Sequence, residues 1–167
     1  SRIMNCHNGE KFLQEGVKSI INQTYKNWEL IFLDNISNDN SKKIIKSFDD
    51  IRVKYFRTKK FLTLYYARNL AIKKAKGKYI CFLDVDDFWT KDKLKKQIFF
   101  FLKNINYKIL YSNYFVLDEK RKTKTKKIKK KNLSNTNITQ KFLSNYDVGI
   151  LTLMIEKSVF KKYKFNN

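Results

Sequence analysis

The stretch that decides the fold reads YICFLDVDD and occupies residues 79–87. Five apolar or aromatic residues are followed without a break by three carboxylates within four positions. A second stretch, LIFLD at residues 30–34, repeats the pattern of an apolar run that ends on an aspartate. Continuous apolar runs of this kind are typical of strands that are buried on both faces of a parallel sheet. Both stretches are therefore predicted to be central strands that end on acidic residues.

Amphipathic stretches separate these runs and predict helices. Apolar residues recur at helical spacing in residues 10–23, 64–76 and 94–102, and Gly77 is expected to cap the second of these helices. Further extended segments are predicted at residues 3–4, 53–56, 109–117 and 150–155. The alternation of strands and helices predicts an α/β fold, with a mostly parallel sheet flanked by helices.

The composition limits the class of protein. The chain has 167 residues, the size of one domain, and its 43% hydrophobic and 16% aromatic content excludes a disordered chain. One explanation of the formal net charge of +22 is a polyanionic partner, either nucleic acid or an anionic membrane face. The abundant Lys, Asn, Ile, Phe and Tyr have A/T-rich codons, however, and genome composition is the favoured explanation of the charge. Arg, which suits bidentate phosphate recognition, is scarce.

The cysteines and the apolar runs indicate the setting of the protein. Cys6 and Cys81 are too few for a disulfide scaffold, favour a reduced setting, and are expected to be inert thiols on neighbouring strands. No apolar run approaches the roughly 18 residues that a membrane-spanning helix needs, and no apolar signal core opens the chain. We therefore expect a cytoplasmic protein, with peripheral contact at the inner membrane face as a further expectation.

A basic run interrupts the alternating pattern. Residues 120–131 contain nine lysines and arginines in twelve positions and show no packing pattern, which predicts a solvated Lys-rich loop at 118–132. Two alternatives stay open for this loop: loose contact with an anionic membrane through charge alone, or a solvated run without a partner. Residues 138–146, which follow it, are predicted to be helical.

Three predicted strand ends carry the polar residues from which we expect chemistry: residues 5–8, 34–35 and 84–87. Ligands of open parallel sheets bind beyond the carboxyl ends of the strands. The carboxylates of residues 84–87 repel one another and therefore require a positive partner. A lysine would serve, and a divalent cation carrying a diphosphate would serve better, because Mg²⁺ and Mn²⁺ bind one or two carboxylates together with phosphate oxygens. The alternative is a turn and helix-cap cluster without a ligand.

An ordered series of motifs extends from Asn8 to Gln97. The motifs are NG at 8–9 with FL at 12–13, SIINQTYKNWEL at 19–30, Asp34 with SNDNS at 37–41, ARN at 67–69, KGKYI at 76–80, FLDVDD at 82–87, and KL at 93–94 with Gln97. This series resembles the inverting family 2 glycosyltransferases with the GT-A fold. Ordered motifs spread over about ninety positions are far more specific than any one of them.

The resemblance implies a Rossmann-like GT-A fold that is truncated at its C-terminal side. Residues 1–113 would form the nucleotide-sugar-binding half, and residues 114–167 the incomplete start of the acceptor-binding half. Asn5 and His7 would line the nucleotide base, with a stacking role for His7. Asp34 and Asn35 would contact the base edge or the ribose.

The acidic stretch matches the DXD motif of the same family. The match implies that Asp84 lies near the ribose and that Asp86, with help from Asp84, binds a Mg or Mn cation. Arg68 matches an arginine that reaches toward the nucleotide and the acidic motif. The catalytic base is expected beyond Asn167. The implied enzyme transfers a sugar from a nucleotide-diphosphate sugar to a hydroxyl of a glycan or lipid-linked acceptor, in cell-surface glycan synthesis.

Two features depart from the family pattern, and two other functions compete with the transferase interpretation. The family commonly has aspartate where this chain has Asn35, and glycine in the loop where this chain has FLTLYY at 61–66. A phosphatase of the haloacid dehalogenase type would need a small hydroxyl residue where Phe88 stands. A basic nucleic-acid- or anionic-surface-binding module without catalysis would rest on the Lys-rich loop. Because the aromatic residues fall in predicted core strands, no nucleic-acid partner is expected.

Overall fold

The computed structural model describes residues 1–118, 123–127 and 148–166. The secondary structure elements, in chain order, are β1 (Arg2–Cys6), α1 (Glu10–Ile21), β2 (Leu30–Asp34), α2 (Ser41–Lys46), β3 (Val53–Arg57), α3 (Leu64–Lys74), β4 (Tyr79–Phe82), α4 (Lys93–Lys103), β5 (Ile109–Leu110), β6 (Tyr114–Asp118), β7 (Thr123–Lys127), a 3-10 helix (Ile150–Thr152), β8 (Met154–Glu156) and α5 (Val159–Lys162). None of the helices in these ranges is both long enough and apolar enough to cross a membrane.

Six strands form one sheet in the order β3-β2-β1-β4-β8-β5. The four strands β3, β2, β1 and β4 run parallel, in a register that pairs Ile3 with Ile31 and with Phe82. β8 joins antiparallel to β4 and also pairs antiparallel with β5. The prediction of an α/β fold with a mostly parallel sheet flanked by helices is therefore confirmed.

The sheet is covered on both faces, which explains its continuous apolar strands. Alternate residues of each strand enter different clusters, so that Phe32 packs on one face and its neighbours Ile31 and Leu33 pack on the other. Buried residues of α1, α2 and α4 complete the first cluster, while α3 and α5 cover the second. The whole of β2 is buried as a result.

The strand order places a crevice between β1 and β4. The connections through α1 and α2 carry the chain from β1 to β2 and then β3, all on one side of β1. The connection through α3 then returns the chain to the opposite side, where β4 pairs with β1. Open α/β sheets bind ligands outside the carboxyl ends of the strands at such a reversal point. The polar segments that follow β1, β2 and β4 all lie at this edge.

Three local predictions differ from the structure. α3 ends at Lys74 with Ala75 as its cap, and Gly77 does not have a positive φ. Gly77 instead allows a close approach, because a Cβ there would lie 2.6 Å from the nitrogen of Ser1. The extended segment predicted at 150–155 begins as a 3-10 helix and becomes a strand only at Met154.

The third difference concerns the Lys-rich loop predicted at 118–132. Residues 123–127 form β7, which pairs antiparallel with β6 in a two-stranded sheet of its own. The segment alternates threonine with lysine, and threonine favours strands because its side chain is β-branched. A strand in this small separate sheet does not require an apolar face, so a strand forms although the sequence shows no apolar pattern. The rest of the Lys-rich run after Asp118, and the helix predicted at 138–146, lie outside the described residues.

Candidate functional site

The acidic turn, defined as residues 84–87, follows β4 at the crevice. Its backbone is closed by a hydrogen bond of 3.1 Å from the amide of Asp87 to the carbonyl oxygen of Asp84. Asp86 is exposed, whereas Asp84 and Asp87 are partly buried. Helix α1 approaches the turn closely, since a Cβ at Gly16 would lie 3.2 Å from the carbonyl oxygens of Val85 and Asp87. The turn is therefore held against α1 with one carboxylate presented to solvent.

Arg68 reaches the acidic turn from α3, as the family resemblance implies. Its Nη2 donates to Asp84 Oδ1 at 3.2 Å and, more weakly, to Asp84 Oδ2 at 3.5 Å. The Arg68 side chain is only 10% exposed and its guanidinium lies over the rings of Phe82 and Phe165. A buried guanidinium between aromatic rings is held in one orientation, and it fixes the Asp84 carboxylate in turn.

The other two carboxylates of the acidic turn have no ion-pair partner within the part of the chain that the structure describes. Burial, and then the charges of Asp86 and Asp84, raise the pKa of Asp87 to about 6. In the described ranges, no three His, Cys, Asp or Glu side chains are grouped so that they could hold a metal ion by themselves. The turn thus carries uncompensated negative charge but offers only part of a coordination shell.

Asp34 ends β2 and is fully buried. Its Oδ1 accepts the amide of Ser37 at 2.7 Å, and its Oδ2 accepts the hydroxyl of Tyr55 at 2.6 Å and the guanidinium of Arg57 at 3.4 Å. Burial and the hydrogen bond to Asp34 raise the pKa of Tyr55 to about 12. In this conformation Asp34 organises the loop after β2, and its predicted contact with a nucleotide stays a prediction.

Asn35 is also buried, with 6% exposure, and its amide is engaged by protein groups. Nδ2 donates to the carbonyl oxygen of Leu62 at 2.8 Å, while Oδ1 accepts the amide of Leu62 at 3.0 Å and the hydroxyl of Thr58 at 3.2 Å. The next residue, Ile36, has a φ of 60°, a left-handed conformation that is strained for a β-branched side chain. A direct contact of Asn35 with a base edge likewise stays a prediction.

The end of β1 contributes Asn5 and His7. His7 is exposed, and its Nδ1 lies 2.8 Å from the carbonyl oxygen of Asn35. A carbonyl oxygen only accepts, so the proton is assigned to Nδ1. The His7 ring also meets the ring of Phe61 edge to face, with centroids 4.9 Å apart. Within the described residues, Asn5 Oδ1 is buried without a hydrogen-bond partner.

A cavity of about 520 Å³ opens beside the acidic turn. Its lining comes from α1, α4, β6 and the 3-10 helix, and it includes the exposed residues Asp86 and Phe88. Trp89 forms part of the wall and donates from Nε1 to the carbonyl oxygen of Leu151 at 2.9 Å. Lys93 places its Nζ 3.9 Å from the centroid of the Trp89 ring, and burial lowers the pKa of Lys93 to about 8.

Two glutamines that had no role in the sequence analysis support this region. Gln23 is fully buried, donates to the carbonyl oxygens of Ser19 and Thr90, and accepts the amide of Leu94. Gln97 donates to the carbonyl oxygen of Thr152 at 2.7 Å. Gln97 lies three residues after Leu94 on the apolar stripe of α4, and Gln23 lies three residues after Ile20, just beyond the end of α1. A polar residue that continues a buried stripe is a usable signal for a structural hydrogen bond.

The two cysteines are buried as expected, and both tryptophans also lie in the core. Cys6 and Cys81 are buried free thiols on the adjacent strands β1 and β4, and burial raises the pKa of Cys6. Trp28 and Trp89 are both 6% exposed and pack in the core cluster. Cys6, Cys81 and Trp28 are therefore structural in the arrangement observed.

Comparison with known proteins gives consistent matches. A family model described as glycosyl transferase family 2 matches residues 1–163. The chain is 34% identical over 166 residues to UDP-Glc:alpha-D-GlcNAc-diphosphoundecaprenol beta-1,3-glucosyltransferase WfgD of Escherichia coli, covering 99% of this chain and 63% of that relative.

Two solved structures are similar in fold. S. aureus TarS in complex with UDP-GlcNAc superposes with a TM-score of 0.77 at 19% identity, covering 96% of this chain and 46% of that chain. The mannosyltransferase PcManGT from Pyrobaculum calidifontis, in complex with GDP-Man and Mn²⁺, superposes with a TM-score of 0.62 at 18% identity, covering 70% of this chain and 35% of that one. The chain thus spans less than two thirds of WfgD and less than half of either structure.

Proposed function

The chain belongs to glycosyl transferase family 2 and has the GT-A fold, and we propose that its crevice binds the nucleotide-diphosphate part of a sugar donor. The observation that carries the proposal is the buried Arg68, paired with Asp84 beside two further carboxylates at the point where the strand order reverses. The full protein would transfer the sugar, with inversion at the anomeric carbon, to an acceptor hydroxyl. Residues 1–113 would supply donor binding, and residues 114–167 would begin the acceptor side.

The nucleoside would lie along the ends of β1 and β2. Asn5 and His7 would line the base, and the exposed ring of His7, oriented by its hydrogen bond to Asn35, offers a surface for stacking. Asp34 and Asn35 would form the base and ribose side of the site. Asp84 would lie near the ribose, where Arg68 holds it in one orientation.

The acidic turn fits a bound Mg²⁺ or Mn²⁺ ion because it carries more negative charge than its neighbours compensate. Asp86, with help from Asp84, would hold the ion, and oxygens of the donor diphosphate would complete its coordination. When bound, the ion neutralises the charge that develops on the leaving diphosphate.

The acceptor would reach the donor through the cavity beside the acidic turn. Its wall of Trp89 and β6 residues offers apolar surface next to the exposed Asp86. The catalytic base that the family resemblance implies stays a prediction, and no described carboxylate is assigned that role. WfgD is named for an acceptor linked to diphosphoundecaprenol, and we propose a lipid-linked acceptor in cell-surface glycan synthesis for this chain also.

A lipid-linked acceptor would bring the protein to the cytoplasmic face of a membrane. The net charge of +22 and the basic run that includes β7 support peripheral contact with anionic lipid, worth about 1 kcal/mol for each lysine near the surface. Sedimentation with vesicles containing anionic lipid should show binding at low salt that is lost at high salt. Absence of binding at low salt, or binding that salt does not weaken, contradicts this part of the proposal.

Calorimetric titration with UDP and Mn²⁺ tests the donor site. Asp86→Asn keeps the shape of the side chain and removes the charge, so Mn²⁺-dependent binding of the nucleotide should fall by one to two orders of magnitude, about 1.4 kcal/mol for each tenfold. The matched control is Asp49→Asn, an exposed aspartate that precedes β3 at the opposite edge of the sheet. The control should bind as the unaltered protein does. An unchanged affinity in Asp86→Asn would return the acidic turn to a purely structural role.

A further inference from the structure

The side-chain amide of Asn35 forms its hydrogen bonds with one segment of the chain, residues 58–62. The backbone of Leu62 presents an amide to Oδ1 and a carbonyl oxygen to Nδ2, and Thr58 fills the second acceptor position of Oδ1. An asparagine amide has two acceptor sites and two N–H groups, so both acceptor sites and one donor are occupied. The backbone at Asn35 is also held in place, because the backbone N–H of Asn35 donates to the carbonyl oxygen of Cys6 at 2.7 Å.

The same residue fixes two aromatic rings. Through its backbone carbonyl oxygen Asn35 orients His7, and through its side chain it anchors Leu62, whose neighbour Phe61 meets the His7 ring. The planes of the two rings make an angle of 74°, and the two side chains are exposed, Phe61 by 61%. We define this pair as the ring corner. It lies at the carboxyl edge of the sheet, on the β1 and β2 side of the acidic turn.

A corner of two exposed rings suits a flat aromatic ligand. A base that lies on one ring presents its edge to the other, and base-aromatic stacking tolerates every base because each has a π-face. Reading a base edge requires free donors and acceptors, and Leu62 and Thr58 occupy both acceptor sites and one of the two side-chain N–H groups of Asn35.

We infer that in this chain the ring corner of His7 and Phe61 holds the nucleobase by stacking, and that Asn35 is a positioning residue that acts through Leu62. The inference rests on the proposed function, because it names how the donor site selects its nucleotide. The substrate class that follows is nucleotide-diphosphate sugars with weak discrimination among bases. UDP, GDP and ADP should therefore bind within about tenfold of one another, since the acceptor sites of Asn35 are occupied by protein groups and do not read the base edge.

Titration calorimetry with Mn²⁺ and UDP, ADP or inorganic pyrophosphate tests the ring corner. Phe61→Ala should weaken UDP and ADP alike by about tenfold and leave pyrophosphate binding unchanged, because pyrophosphate has no base to stack. Phe61→Tyr, which keeps the ring, should bind within about twofold of the unaltered protein. Phe61 is exposed, so its replacement is expected to leave the fold intact.

The positioning role of Asn35 has a spectroscopic test, because His7 is the single histidine of the chain. Its Hε1 proton gives one proton NMR signal, which depends on the ring current of Phe61. Phe61→Ala should move this signal in the free protein, and Asn35→Ala should reproduce the movement and weaken UDP and ADP by equal factors. Thr58→Val, which removes one contact of Oδ1 but keeps the Leu62 pair, is the control and should leave the signal near its position.

The outcomes separate the two proposals. UDP affinity unchanged in Phe61→Ala overturns the stacking role, and a loss in Asn35→Ala that is much larger for UDP than for ADP shows that Asn35 reads the base edge. A His7 signal that Asn35→Ala leaves in place overturns the positioning role. If the unaltered protein binds none of the nucleoside diphosphates, the proposed function fails and this inference falls with it.

Discussion

Replacing Glu29 with glutamine is expected to destabilise the protein at neutral pH and to reduce the dependence of its stability on acid pH. Glu29 immediately precedes β2, and its side chain joins three parts of the fold. One oxygen accepts Lys54 Nζ at 2.7 Å, and the other accepts the Ser1 hydroxyl at 2.5 Å and the amides of Lys76 and Gly77 at 2.7 and 3.1 Å. Glutamine keeps the shape but donates from one side, so it leaves at least one of these donors unpaired.

The magnitude follows from the pKa of Glu29. Burial alone would raise it, but the hydrogen bonds from Lys54, Ser1 and the amide of Lys76 outweigh burial and lower the pKa from 4.5 to about 2. That difference corresponds to an upper limit of about 3 kcal/mol, at 1.36 kcal/mol for each pH unit. Because the Lys54 side chain is 37% exposed, solvent screens the ion pair, and we expect about 1.5 kcal/mol.

The sign of the pH dependence follows from the same values. A carboxyl with a lowered pKa in the folded state contributes its full stability above pH 4.5 and loses it as the pH falls through about 2. Urea unfolding of the unaltered protein and Glu29→Gln should therefore differ most at pH 7, with less than half of the difference left at pH 3. Glu15→Gln, on the exposed face of α1, serves as the control and should show no such trend. An equal difference at both pH values would refute the electrostatic explanation.

Two further predictions concern the loops that support the crevice. Ile36→Asn should raise the melting temperature, because asparagine tolerates the φ of 60° and relieves about 1 kcal/mol of strain, whereas Ile36→Val keeps the branched Cβ and should give no gain. Gln23→Glu should lower the free energy of unfolding in urea by about 2 kcal/mol, because a carboxylate would face the carbonyl oxygens of Ser19 and Thr90. A loss of stability no larger than that of Lys18→Ala, an exposed control, would contradict the role given to Gln23.

Strand positions could be predicted from the sequence wherever burial on both faces left an unbroken apolar run. β2 and β4 are such strands, and the aspartates that follow them marked the edge of the sheet at which to look for chemistry. The neighbour of β4 on the side away from β1 could not be predicted in this way. β8 comes from residues 154–156 and lies between β4 and β5, a pairing that depends on the path of the intervening chain and leaves no local pattern.

The family resemblance implied the meeting of Arg68 and Asp84, and it is compatible with the fold because the start of α3 and the end of β4 lie at the same edge of the sheet. The hydrogen bonds between the Asn35 side chain and the Leu62 backbone could not be predicted from the sequence. A side-chain amide selects its partners from whatever backbone lies within about 3 Å, and that depends on the conformation of the loop at residues 58–63.

That engagement connects the two departures from the family pattern. An aspartate at position 35 could accept the amide of Leu62, but it would also place a carboxylate oxygen against the carbonyl oxygen of Leu62, 2.8 Å from the present Nδ2. Two acceptors at that distance repel, whereas the asparagine N–H makes a hydrogen bond. A loop that folds back with Leu62 on residue 35 is therefore compatible with asparagine and not with an ionised aspartate. The asparagine at position 35 and the bulky segment at 61–66 are therefore linked by one contact, which also places the Phe61 ring against the His7 ring.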